Sequence, residues 1–316
     1  MPSPSGSTER NIEPERLYRA ENFGLDLPDG FDDGLTQYFE LAARRASDET
    51  MSTWIELRPD LVDASGAALV GVLAYLVDSA VGMAAGFAAL PQWVVTADID
   101  LHLVARATVG PLRADSRVVR AGTRQVLADC TVHDEGSGAV VASATANHSV
   151  LSPERAAPMS VPPPDVIFRH GPSGPLSGDH GPSGPLSGDH GPSGPLSGDQ
   201  GPSGPSLVTR PPLLERYGVR PVPGIMAAAE LDITGPARNP WGILHGSLFA
   251  LVAEAALASA QPGARIDDLI VRFVAPARIG PARAQASHLG GNLWRVDVRD
   301  VGNDDRVCCT SFARVS

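Results

Sequence analysis

Two apolar runs constrain this chain more than anything else in it. Run 66–78 reads Gly-Ala-Ala-Leu-Val-Gly-Val-Leu-Ala-Tyr-Leu-Val-Asp, and run 242–254 reads Gly-Ile-Leu-His-Gly-Ser-Leu-Phe-Ala-Leu-Val-Ala-Glu. Set together without a gap, Gly66 falls on Gly242, Ala74 on Ala250 and Asp78 on Glu254. A carboxylate deep in an apolar helix is costly unless it is paired or functional. A chain that carries this cost twice, at matching positions, is expected to be two copies of one domain with chemistry in the helix.

The flanking pattern repeats as well. In the first half, residues 52–57 read as a strand, followed by the apolar helix. Residues 93–104 then alternate as a strand does, and 112–120, 125–133 and 139–150 are further strands separated by glycine turns. In the second half the strands are 225–233, 268–275, 282–288, 293–300 and 306–315, with the helix starting at Leu244. Gly110-Pro-Leu-Arg-Ala matches Gly280-Pro-Ala-Arg-Ala, so the duplication extends into the sheet. Residues 35–45 predict an extra amphipathic helix ahead of the first copy. One long helix and an antiparallel sheet of about five strands, occurring twice, is an α+β layout. A single sheet cannot cover so apolar a helix, so the copies are expected back to back, with a pseudo-two-fold axis between them.

A decapeptide separates the copies. Gly-Pro-Ser-Gly-Pro-Leu-Ser-Gly-Asp-His occupies 171–180 and 181–190, and a third copy ends in Gln200. Residues 171–206 hold 11 glycines and 8 prolines, with no apolar pattern able to build a core. The expected organisation is a disordered or extended tail over 1–33, a first domain over 34–160, a disordered linker over 161–208 and a second domain over 209–316. The linker's coil span is on the order of 40 Å. Its spaced histidines, His170, His180 and His190, read as repetition of a spacer rather than as a metal site.

Composition excludes some classes. A net charge of −11 lacks the basic face of a general nucleic-acid binder. The run from Gly66 to Pro91 is long enough to span a bilayer. Its Ala and Gly content and the mid-run Asp78 favour a central helix wrapped by a sheet, so no membrane insertion is expected. The N-terminus has no apolar core of a signal peptide. Cys130, Cys308 and Cys309 lack metal-ligand spacing and read as reduced thiols, which implies a cytoplasmic protein.

The segment Asn239-Pro-Trp-Gly-Ile-Leu-His-Gly-Ser-Leu-Phe-Ala-Leu-Val-Ala-Glu254 resembles the signature of hotdog-fold acyl-CoA thioesterases of the phenylacetate-degradation type. That signature is an Asn, then His-Gly-Gly or a close variant, then an acid eight residues after the first Gly. Here Gly246 and Glu254 have that spacing, with Ser247 in place of the second Gly. The first half resembles the family through Leu76-Val-Asp78-Ser-Ala80, the strand at Thr96 and Arg120-Ala-Gly-Thr-Arg124. The resemblance covers about 51–150 and 212–316. It implies two hotdog domains, each a central helix wrapped by an antiparallel sheet, forming an intrachain pseudo-dimer. It also implies hydrolysis of an acyl thioester without metal or cofactor, CoA entering only as part of the substrate. Partners would be an acyl-CoA or an acyl-carrier thioester, and double-hotdog units are expected to assemble into a homo-oligomer.

Backbone N–H groups at a helix N-terminus lack partners and carry partial positive charge, which suits them to a thioester oxyanion. An acid two turns along cannot reach its own helix start, but it can reach that of an antiparallel neighbour. In the family, the oxyanion glycine and the acid come from opposite subunits. The resemblance therefore implies one composite site of Gly246, His245 and Asn239 with Asp78 and Thr96. Gly246 N–H would polarise the carbonyl. Asp78 would be general base or nucleophile. Asn239 would orient water or substrate, Thr96 would support Asp78, and His245 would pin the helix start. The second combination sets Glu254 against Val70, with Leu69, Asp63 and Ile266 in place of His245, Asn239 and Thr96, and is expected to be degenerate.

Trp241 either lines the acyl pocket or staples the helix start. Arg120 and Arg124, flanking Gly122, either meet CoA phosphates or are solvated turn residues. His102 and His148 read as surface or interface residues, and Trp54, Trp93 and Trp294 as packing. Two other functions compete with thioester hydrolysis. A non-catalytic acyl-CoA-binding module has no need of the acid. A hotdog dehydratase would need an Asp and His pair that is not found beside the helix.

Overall fold

The computed structural model describes residues 34–152 and 210–316, apart from positions 46, 48 and 240. The expected tail over 1–33 and the whole of the expected linker over 161–208 lie outside the described residues.

One antiparallel sheet of twelve strands organises everything. Its first half comprises β1 (Ala42–Arg45), β2 (Thr50–Ile55), β3 (Val94–Leu103), β4 (Leu112–Ala121), β5 (Gln125–Asp134) and β6 (Ala139–Val150). The second comprises β7 (Arg220–Pro221), β8 (Ala228–Leu231), β9 (Ile266–Phe273), β10 (Ala282–Gly290), β11 (Leu293–Asp300) and β12 (Arg306–Val315). The order is β1-β2-β4-β5-β6-β3-β9-β12-β11-β10-β8-β7, so each half repeats the same order read from its own edge. The halves meet where β3 pairs with β9, from Asp98 opposite Arg272 to His102 opposite Asp268. There His102 Nδ1 and Asp268 lie 2.7 Å apart.

The helices are α1 (Gly34–Phe39), α2 (Val70–Ala89), α3 (Leu213–Arg216) and α4 (Gly246–Ala260). α2 and α4 are the two apolar runs, and they pack directly on each other. The crossing is close because Gly71 has no side chain: a β-carbon there would lie 2.8 Å from Leu251 Cβ and 2.9 Å from its Cα. Among the described residues α2 is the one helix long and apolar enough to cross a membrane, and 78% of its apolar window is buried inside the protein. Tyr75 of α2, fully buried, stacks on Phe39 of α1 at 4.1 Å and lies 5.6 Å from the His245 ring.

The loops ahead of both helices are built alike. Asp63 Oδ1 accepts from Ser65 and Ala67 N–H, and Asn239 Oδ1 accepts from Trp241 and Ile243 N–H. The strand ends match too. The Asp134 carboxylate accepts from the N–H groups of Thr108, Val109 and Gly110, and that of Asp300 from Arg278, Ile279 and Gly280.

Three expectations are corrected. The amphipathic helix over 35–45 is a short helix followed by the edge strand β1, because Glu40 takes a positive φ of 52° that ends it. The strand over 225–233 narrows to four residues, starting after Ala227 at φ 56°. Six strands rather than five occur per half, since the short edge strands β1 and β7 carry too few residues to show a period.

Candidate functional site

At the start of α4 the sheet and both helices bring three expected residues together. Asp78 sits in the ninth position of α2, facing the α4 N-terminus. A β-carbon on Gly246 would lie 3.0 Å from Asp78 Oδ2 and 3.3 Å from the Phe273 ring, so only glycine lets the carboxylate come this near the backbone. Thr96 Oγ1 donates to Asp78 Oδ1 at 2.8 Å, which fixes the carboxylate's rotation. Among the described residues the Gly246 N–H has no hydrogen-bond acceptor. The next N–H along, of Ser247, is taken by the N-cap residue: His245 Nδ1 accepts it at 3.3 Å. His245 thus caps the helix start.

Asn239 is less involved than expected. Its side-chain oxygen is committed to its own loop, where it shapes the turn that carries Trp241. Trp241 packs edge-on against Trp93, ring centres 5.6 Å apart, and its buried indole N–H has no partner among the described residues. Arg120, Gly122 and Arg124 are exposed at the β4–β5 turn, and no ion pair to either arginine occurs among the described residues. That turn lies at the strand ends nearest Thr96: Gln125 pairs with Ser149, which pairs with Val95.

The other helix start is different in kind. Glu254 Oε1 accepts the Val70 N–H at 2.9 Å and Oε2 accepts the Gly71 N–H at 3.0 Å. The expectation of a poorly furnished second site is therefore corrected. Its backbone donors are present, and the chain's own acid occupies them. The difference is one methylene: glutamate reaches the donors, whereas aspartate stops beside Gly246. Burial raises the Glu254 pKa to about 7, and the two N–H bonds only partly offset this. The residue keeps some exposed surface, so desolvation falls on the carboxylate rather than on the whole side chain.

His148 is the residue that sequence reasoning misplaced. It is 1% exposed, on β6 directly opposite Thr96, and among the described residues neither ring nitrogen has a partner at full hydrogen-bond geometry. Burial, the largest influence, holds its pKa below the ordinary histidine value, against smaller upward pulls from Asp78, the Val126 backbone and Asp98. The signal was in the sequence: His148 continues the phase of Ala142, Ala144 and Ala146, which all face inward. No cluster of three or more metal-binding side chains occurs among the described residues.

Residues 15–150 match the family model described as the acyl-CoA thioesterase C-terminal domain. Over that span the chain is similar to acyl-CoA thioesterases. The match falls on the half of the chain that carries Asp78, Thr96 and His148. Its fold is similar to that of an acyl-ACP thioesterase from Bacteroides thetaiotaomicron, at 14% identity and a TM-score of 0.52, over 85% of this chain and 100% of that one. It is also similar to a putative oleoyl thioesterase from Lactobacillus plantarum, at 11% identity and a TM-score of 0.51, over 85% of this chain and 97% of that one. No curated protein matches the chain.

Proposed function

We propose that this protein is a thioesterase that hydrolyses an acyl-CoA to the free acid and CoA in one composite site per chain. The two halves, 34–160 and 209–316, act as two hotdog domains forming an intrachain pseudo-dimer. The repeated strand order and the paired loop hydrogen bonds support that reading.

The observation that carries the functional reading is the contrast between the two helix starts. At α4 a backbone N–H stands without an acceptor beside a carboxylate fixed by Thr96. At α2 the acid fills the donors itself. A thioester carbonyl placed on the Gly246 N–H gains stabilisation as charge develops on its oxygen, reinforced by the α4 dipole. Asp78 then acts on the carbonyl carbon, as base on water or as nucleophile. Trp241 and Trp93 offer an apolar wall for the acyl group. Arg120 and Arg124, without ion pairs among the described residues of an acidic protein, offer contacts for CoA phosphates, which favours CoA over a bare pantetheine arm.

The test is release of free thiol across a panel of acyl-CoA esters and the matching acyl-pantetheines. Turnover of at least one acyl-CoA is expected, with a KM raised several-fold when Arg120 and Arg124 are both replaced by Ser. Release from pantetheine esters at equal KM would remove the CoA assignment. No release from any thioester would remove the hydrolytic reading.

A further inference from the structure

We propose that His148 is a further catalytic residue of the Asp78 site, holding the attacking water together with Asp78 above Gly82 of α2. The proposal rests on the thioesterase reading of that site.

Three independent observations carry it. First, both His148 ring nitrogens are buried, and among the described residues neither has a partner at full hydrogen-bond geometry, the Val126 backbone interacting only weakly with the ring. Buried polar atoms are nearly always satisfied, and an orphan costs about 1–3 kcal/mol. Second, the imidazole looks onto the helix one turn after Asp78: a β-carbon at Gly82 would have only His148 Nε2 within 4 Å, at 3.9 Å. No side chain fills that position. Third, the matching place in the other half is apolar. β12 sets Val315 opposite Ile266, just as β6 sets His148 opposite Thr96. The half whose acid, Glu254, closes the opposing helix start carries no polar group there, and the half whose acid, Asp78, faces an open helix start carries both Thr96 and His148.

A neutral imidazole has one accepting and one donating nitrogen. A water between Asp78 and the accepting nitrogen would have two hydrogen-bond acceptors, the minimum that fixes it. Its hydrogens would then point at the protein and a lone pair at the thioester carbonyl. On attack, the water oxygen bonds to the carbonyl carbon and its proton passes to Asp78. The C=O electron pair moves to the oxygen held by Gly246 N–H. Collapse breaks the C–S bond, and the departing thiolate takes the proton from Asp78. His148 gains and loses no proton; its part is to aim the water. This route uses Asp78 as base.

The test compares the wild-type protein with His148→Val, the residue of the matching position, and His148→Gln, which keeps polar atoms. Free-thiol release from one acyl-CoA hydrolysed by the wild type gives kcat and KM, and thermal unfolding gives Tm. His148→Val is expected to lose about thirtyfold or more in kcat, with KM within about threefold and Tm unchanged or higher. His148→Gln is expected to keep at least about a fifth of wild-type kcat, since its amide can still accept from water. His148→Met, closer in volume, takes the place of the valine variant should that one unfold. A valine or methionine variant within threefold of wild-type kcat would overturn the proposal. So would a folded glutamine variant that falls as far as the apolar ones, because shape alone would then explain the loss. A wild type that hydrolyses no acyl-CoA would remove the functional reading as well, an outcome distinct from an active wild type with an equally active valine variant.

Discussion

Asp78 and Gly246 meet across the two halves with no room for a side chain: a β-carbon on Gly246 would sit 3.0 Å from Asp78 Oδ2. Gly246→Ala should therefore displace the carboxylate and the Phe273 ring together. A shift of a few tenths of an ångström at a reacting group costs rate more than it costs folding. The expected outcome is a kcat/KM lower by about tenfold or more, with Tm lowered by no more than a few degrees. Kinetics and a melting curve on one variant check both parts, and an alanine enzyme of full activity would mean that the approach is incidental.

Gly71 tests the contact between halves. A β-carbon there meets Leu251 at 2.8 Å and its backbone at 2.9 Å, and a backbone cannot step aside as a side-chain tip can. Gly71→Ala should cost about 1–3 kcal/mol of stability through overpacking. Chemical denaturation measures it. An alanine variant as stable as the wild type would mean that α2 and α4 do not pack this closely.

Glu254 should give stability an unusual pH dependence. Its pKa is about 7 folded against 4.5 as the ordinary value, so between those limits the folded protein binds more protons than the unfolded one. Stability contributed by this group is then complete below pH 4.5 and is lost as pH rises to 7, by at most about 3 kcal/mol. The carboxylates of Asp60, Asp63, Asp134 and Asp300 shift the opposite way and act only at lower pH. His148, whose pKa is depressed, pulls the other way in this window in both proteins, so melting curves between pH 5 and 7 should fall more steeply, or rise less, with pH for the wild type than for Glu254→Gln. Identical slopes would contradict the assignment.

Much of this was legible in the sequence because it lies in runs with a period. The matched runs at 66–78 and 242–254 gave both long helices, and alternation gave the longer strands. The pairing of Asp78 with Gly246 and Thr96 followed from an antiparallel helix argument and the family signature. What stayed hidden depends on side-chain reach and phase. One methylene decides that Glu254 caps its opposing helix while Asp78 does not, and no pattern of residue types displays that. Asn239 Oδ1 turns into its own loop because the N–H groups of Trp241 and Ile243 stand within hydrogen-bonding reach there. His148 was readable from the inward phase of Ala142, Ala144 and Ala146, but its significance appears only when β6 is laid beside β3.

The central claim is that the two acids have different work. Asp78→Asn keeps the shape and removes the basicity, so kcat should fall about a hundredfold or more with little change in KM. Glu254→Gln should cost less than about threefold, because its helix start is closed by the chain itself and takes no substrate. Steady-state kinetics of both variants on one acyl-CoA, beside the wild type, is the most direct measurement. The account predicts a near-dead Asp78→Asn and a near-normal Glu254→Gln; equal losses, or an active Asp78→Asn enzyme, would contradict it.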